Sequence, residues 1–315
     1  MVLELRGVSK SYGRVRALRG LTMSVGRGVT GLVGPNGAGK TTTIKISLGL
    51  LRADEGIVRF FGLDPWVDGY EVRRRVGVLH ERPSYPGDLT GLQFLKYVAS
   101  FYGVRDCARR AAEVLRLVGL EFAAHRPIKS YSAGMVQRLG IAKAIVGEPE
   151  FVVLDEPTAN LDPTSRAEIL DLILTLHEDE GMSFLISTHV LSELERVCDR
   201  VLVMCGGRVV AEGTLSELID RYGLAEYVVE LPEPRALAGR LANLDFVEEV
   251  RVDEKRGRVL VRARDAYALT KAVFEAALEL NLRVVSVRPR YGALEQVYRR
   301  VVGRETAGVA TGHGG

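Results

Sequence analysis

The run Gly34-Pro35-Asn36-Gly37-Ala38-Gly39-Lys40-Thr41 fits the pattern G-x-x-x-x-G-K-[ST] and constrains this 315-residue chain more than any other feature. It sits between an apolar run ending at Val33 and a helical stretch that continues through Thr42. Glycines let the backbone wrap so that successive N–H groups point inward, and the following helix presents its positive end to the same spot. Lys40 can reach the outer phosphates of a nucleotide, and the Thr41 hydroxyl is suited to ligate Mg2+. A flexible loop with a stray lysine is the plainer reading. The strand before it and the helix after it argue for a nucleotide-phosphate site.

The length corresponds to about two domains. Hydrophobic residues at 47% and charged residues at 26% allow a core of ordinary size. The formal net charge of +3 is small for the length, so no nucleic-acid partner is expected. Cys107, Cys198 and Cys205 form no CxxC pair and read as buried, reduced thiols. The amino terminus alternates apolar and polar residues like a strand, with no signal-peptide core. No uninterrupted apolar stretch approaches the roughly 18 residues needed to span a bilayer. A membrane role therefore has to come through a partner.

The element pattern predicts an α/β first domain over residues 1–220. Short strands over about residues 2–30 form an antiparallel β subdomain, and residues from about 88 to 146 form a helical subdomain. There "LQFLKYVASFY" puts Leu92, Leu95, Ala99 and Tyr102 on one face. The runs "FVVLD" and "MSFLIS" read as strands buried on both faces of a largely parallel sheet, flanking a helix from about Thr164 to Asp179. Residues 224–302 follow the order βαββαβ of a small ferredoxin-like α+β domain, its hairpin turning near Lys255 to Gly257. The tail, 303–315, has too few apolar residues to pack and reads as disordered.

Two further segments carry chemistry. "FVVLDEP" ends a strand in Asp155, placed to hold the water shell of Mg2+, and Glu156, which can orient the water that attacks a γ-phosphate. Asp-Glu after a strand is common by itself; behind a phosphate loop at this distance it is a strong signal. Ser132-Ala133-Gly134 opens another helix, whose apolar face is Met135, Leu139, Ala142 and Val146. A small polar turn at a helix amino terminus is either a simple cap by Ser132 or a second anion site.

Together these segments resemble the ATP-binding subunit of an ABC transporter over essentially the whole chain. They are most similar to the drug-exporter-type subfamily with a small carboxy-terminal domain. The resemblance implies a P-loop ATPase that turns ATP and water into ADP and phosphate with Mg2+, working as a homodimer. In that family the turn matching Ser132, Ala133 and Gly134 in one subunit closes over the γ-phosphate held by the loop matching Gly34–Thr42 in the other. Two copies thus sandwich two ATP molecules head to tail. The resemblance further implies that Tyr12 stacks on adenine and that Asn160-Leu161-Asp162 crosses the dimer interface. It gives His189 a contact with the γ-phosphate, shared with Glu156 in positioning the lytic water. The plainer readings are packing for Tyr12, a turn and helix cap for 160–162, and a structural imidazole for His189. The motor would act on a separate transmembrane permease from the cytoplasmic face of the membrane, and the subfamily favours export. The partner's coupling helix would dock between Glu81 and about Tyr102. An importer subunit is the alternative that the small βαββαβ domain argues against. A non-transport ATPase acting on DNA or the ribosome normally carries a coiled-coil insertion or a second cassette, and neither is present.

Two positions depart from the family pattern. Glu81 stands where a glutamine touches the metal; it keeps a hard oxygen suited to Mg2+ but adds a negative charge that Mg2+, His80 or Arg82 must offset. Gln93 lies too far into the helical part to replace it. Ala133 stands where glycine is commonest and brings a methyl group toward the γ-phosphate.

Overall fold

The computed structural model describes residues 1–222 and 225–310. The chain divides into two units, Met1–Thr214 and Leu215–Gly315. In the first, β1 (Leu3–Tyr12) and β2 (Val15–Val25) form a hairpin whose inward side chains, among them Leu3, Leu5, Leu18 and Leu21, are fully buried. Next come β3 (Val29–Val33), the glycine loop, α1 (Lys40–Ser47) and β4 (Glu55–Phe60). Strand β4 pairs antiparallel with β1, giving a three-stranded sheet in the order β2-β1-β4.

The remaining elements of this unit are α2 (Gly69–Arg74), β5 (Val76–Leu79), α3 (Gly91–Phe101), α4 (Cys107–Leu117), α5 (Ala133–Ile145), β6 (Phe151–Asp155), α6 (Pro163–Glu178), β7 (Phe184–Thr188), α7 (Leu191–Val197), β8 (Arg200–Cys205) and β9 (Arg208–Gly213). They build a six-stranded sheet in the order β5-β6-β7-β3-β8-β9, parallel throughout except for the final β8–β9 pair. Every residue of β3, β6 and β7 is buried, the burial expected of a parallel sheet covered on both faces.

In the helical part, α3 starts at a capping box. The Thr90 hydroxyl accepts from Gln93 N, and the Gln93 side-chain oxygen accepts from Thr90 N at 2.9 Å. Gln93 is thus engaged at the first turn of the helix, and it does not line the cleft described below. Helix α5 departs from the one-sided pattern read in its sequence. Gln137, Leu139, Gly140, Ile141, Ala142, Ala144 and Ile145 are all buried, whereas Met135 is half-buried. The helix lies against β5, α4 and α6 at once. Close approach to the strand depends on Gly77, where a Cβ would run into the Ala144 carbonyl oxygen.

The second unit comprises α8 (Leu215–Tyr222), β10 (Ala225–Glu230), α9 (Pro234–Leu241), β11 (Val247–Asp253), β12 (Arg258–Ala263), α10 (Ala266–Glu279), β13 (Ser286–Pro289) and α11 (Ala293–Ala310). Its antiparallel sheet runs β11-β12-β10-β13. One face packs Val229, Val259 and Val261 with Leu237 and Leu241 of α9 and Val273 of α10. The other carries opposite charges across neighbouring strands: Glu226 meets Arg262 at 2.7 Å and Arg290 at 3.0 Å, and Glu230 meets Arg258 at 3.0 Å. Helix α11 runs on through residues 303–310 of the stretch expected to be disordered, extending the part of the helix that Leu294, Val297 and Val301 bury. Residues 311–315 of that expected tail lie outside the described residues.

Phe151 opens β6 fully buried and meets Phe60 of β4 edge-on, ring centroids 6.0 Å apart, so it ties the two sheets of the first unit together. Phe151→Ala is expected to cost about 3–5 kcal/mol, as for other buried aromatic truncations. Urea unfolding followed by circular dichroism measures it; a loss below about 1 kcal/mol would mean the sheets close over the void.

Candidate nucleotide site

The site is built at one edge of the parallel sheet. Val33 at the end of β3 pairs with Thr188 at the end of β7, and Asp155 at the end of β6 pairs with Ser187. The three segments that leave those strands, at Gly34, Glu156 and His189, therefore start side by side. They border a cleft of about 550 Å³ lined by Pro35, Asn36, Gly37, Ala38, Gly39, Lys40, Thr41 and Thr42 together with Glu81, Glu156 and His189.

The loop's shape follows from its residues. Gly39, at φ 102°, occupies the helix N-cap position of α1 with no side chain capping it, so the first-turn N–H groups are left for another acceptor. A Cβ there would lie 2.7 Å from Leu18 Cδ2 and 2.8 Å from the Ala17 carbonyl oxygen. The far side is held by a backbone bond from Gly207 N to Ala38 O at 3.1 Å. Lys40 is buried; its Nζ donates to Gly34 O at 2.7 Å and stands 3.8 Å from Glu156 Oε1. An ammonium has three donors, so others remain for phosphate oxygens.

Asp155 is 5% exposed and accepts a hydrogen bond from the Ser187 hydroxyl. Glu156 follows at φ 52°, a left-handed backbone that a glutamate rarely adopts. It is held by its own N–H to Ser187 O at 2.9 Å and by the Ala159 N–H that its carbonyl accepts at 3.1 Å. Its Oε2 lies 2.9 Å from His189 Nδ1. An ionised carboxylate only accepts, so Nδ1 carries the proton in that pair and Nε2 is the ring's other polar atom.

Glu81 reaches the same cleft, with Oε1 3.6 Å from Arg82 Nε. Partial desolvation of its exposed ring, with the nearby Lys143 and Lys45 cations, holds the His80 imidazole below its ordinary value despite the opposing pull of Asp155. Near pH 7 His80 is therefore neutral, and of the two neighbours Arg82 carries the offsetting charge.

Other residues singled out in the sequence lie elsewhere. Tyr12 does not line the cleft: it ends β1 in register with Val15, is 49% exposed, and leaves Val15 and Arg16 to form that wall. Ser132 caps α5 by accepting from Met135 N at 3.3 Å, and neither it, Ala133 nor Gly134 reaches the cleft of the same protomer. Asp162 caps α6, accepting from Thr164 N and Ser165 N, both at 3.0 Å, and from Ser165 Oγ at 2.6 Å. The Ser165 hydroxyl first, then these backbone donors, holds its carboxyl below the usual range. Thr158 and Arg166 also line the cleft without belonging to any motif read in the sequence. Thr158 is two residues from Glu156, a cue of proximity; Arg166 sits in the first turn of α6 and offers none.

With this geometry in hand, the chain matches the family described as ABC transporter over residues 18–159. It is 36% identical over 306 residues to the daunorubicin/doxorubicin resistance ATP-binding protein DrrA of Streptomyces peucetius, covering 96% of this chain and 92% of that one. It is 32% identical over 311 residues to the Nod factor export ATP-binding protein I of Ralstonia nicotianae, covering 96% of this chain and 94% of that one. Among solved structures, the ATP-binding cassette MJ0796, a dimer in a post-hydrolysis state bound to ADP and phosphate, superposes with a TM-score of 0.60 at 25% identity, covering 67% of this chain and 98% of that one. The chain belongs to the ABC transporter family and is one of its ATP-binding subunits.

Lys40 is the buried loop cation that the sequence assigns to the outer phosphates of a nucleotide. Lys40→Ala is expected to weaken ATP binding about 100-fold, near 2.8 kcal/mol. Equilibrium binding of a fluorescent ATP analogue measures this, and unchanged affinity would take Lys40 out of the site.

Proposed function

We propose that this protein is the ATP-hydrolysing motor of an exporter, in which two copies close head to tail around two ATP molecules and drive a separate membrane permease. The observation that carries the reading is the split of the phosphate-binding devices. The Gly34–Thr42 loop, Glu156 and His189 share one cleft, whereas the Ser132–Gly134 turn lies outside it in the same protomer. A second copy supplies that turn in trans, and Asn160–Asp162, whose Asn160 lines the cleft edge, lies along the seam. The dimeric state of the MJ0796 cassette supports this arrangement.

In this reading the loop N–H groups and Lys40 hold the β- and γ-phosphates. Glu156 takes a proton from the attacking water while His189 holds its carboxylate in place, and positioning plus charge stabilisation supply most of the catalysis. Among the described residues no group of three or more His, Cys, Asp or Glu side chains could hold a metal. Mg2+ takes one or two carboxylates and completes its shell with water and phosphate. Thr41 and Asp155 would hold it, with Glu81 as a further oxygen, and bound there it would neutralise charge developing on the phosphates. Tyr12 would meet adenine at the outer wall beside Val15.

No helix among the described residues is long and apolar enough to cross a membrane. In this reading the permease is a separate chain, and the motor works on it from the cytoplasmic face. Export is favoured by the relatives named for drug resistance and Nod factor export. The strand order β11-β12-β10-β13 with helices on one face supports a ferredoxin-like fold for the second unit. We assign it to the support or regulation of dimerisation.

Ser132→Arg is expected to keep ATP binding and lose about 100-fold in hydrolysis, because the arginine blocks the turn that completes the partner's pocket. Mixing Ser132→Arg with Lys40→Ala should restore part of the rate, since a mixed dimer rebuilds one whole site. No recovery on mixing, with each variant folded, would contradict sharing of the pocket.

A further inference from the structure

We propose that Glu193, a buried carboxylate in none of the motifs above, is a positioning residue that locks the segment Thr158–Asp162 to the His189 turn. The inference rests on the reading of Glu156 and His189 as the hydrolytic pair. Glu193 lies in α7, 4% exposed. Its Oε2 accepts from Thr158 Oγ1 at 2.7 Å and from Thr188 Oγ1 at 3.1 Å. The Thr188 hydroxyl in turn accepts from Val190 N at 3.0 Å, closing the turn that carries His189. On the other side, Glu193 Oε1 stands 3.3 Å from Arg166 Nε, and Arg166 Nη2 approaches Leu161 O at 3.5 Å.

One carboxylate therefore touches the residue two past Glu156, the residue before His189, and the first turn of the helix that Asp162 caps. A buried carboxylate is costly unless charge and hydrogen bonds compensate it. Here the compensation comes from three separate segments that all border the cleft. An apolar side chain of similar volume would fill the space without linking them. The link to α6 is also loose: the Arg166 Nε–H is not aimed at Glu193 Oε1, and both atoms lack a hydrogen bond. The ion pair tolerates movement of α6, while the two threonine hydroxyls keep Glu156 and His189 in register. Glu193 thus transmits the position of the 158–162 segment to the His189–Glu156 pair.

The test uses the full-length chain. Glu193→Ala is expected to lower kcat at least about tenfold while the KM for ATP moves less than about threefold, the pattern of an interaction needed only at the chemical step. Glu193→Gln keeps the shape and one acceptor, and should fall between parent and alanine. Hydrogen exchange should rise at residues 158–166 and 188–190 together in Glu193→Ala, with β3 protection unchanged. Parent kcat in the alanine variant, or unchanged exchange at both segments, would overturn the proposal. So would full kcat in Glu193→Leu, an apolar side chain of similar volume, which would mean that packing alone matters. If hydrolysis by the parent proved independent of Glu156, the functional reading would fall, and the exchange result would still decide the positioning role.

Discussion

The in-step ending of β3, β6 and β7 is the constraint on which the rest of the molecule depends. Backbone pairing sets Val33 beside Thr188 and Asp155 beside Ser187. The glycine loop, the carboxylates and the histidine thus emerge from one edge of the sheet. A slip of one residue in either pairing would turn Asp155 or Thr188 to the opposite face of the sheet. The fully buried strands prevent that slip, since each would have to give up its packing on both faces. The left-handed Glu156 lies just past this edge, where the Ser187 carbonyl and the turn to Ala159 hold it.

What could be read from the sequence was whatever is local. The glycine loop announces itself because its shape, charge and following helix are encoded in consecutive residues. The pair Asp155-Glu156 was legible because an apolar run leads straight into it. Period-2 and period-3.6 patterns located most strands and helices of both units. Helix α5 was read as one-sided because a single helix's pattern cannot reveal that β5, α4 and α6 will cover it from several directions. Gln93 lies in α3 and does not line the cleft, and the capping box that engages it depends on Thr90 three residues earlier. Glu193 was invisible for the opposite cause: Thr158 and Arg166 lie 35 and 27 positions away and meet it only after the sheet has formed.

The substitution of glutamate at position 81 finds its physical context in the structure. Arg82 stands close enough to Glu81 to offset its charge, while partial desolvation and the neighbouring lysines disfavour a cation on His80. Both Glu81 and Arg82 are exposed, so the pair is screened and readjusts easily when a nucleotide's charge arrives. Ala133 is treated just as gently. It is the exposed first residue of α5, with the Ser132 cap intact beside it.

The central claim is that ATP binding joins two copies of this chain. Light scattering of purified Glu156→Gln protein with and without MgATP tests it most directly, since that variant should bind ATP and be unable to reopen by hydrolysis. The account predicts a monomer without nucleotide and twice that mass with it. A protein that binds ATP stoichiometrically and keeps its monomer mass would contradict the shared pocket.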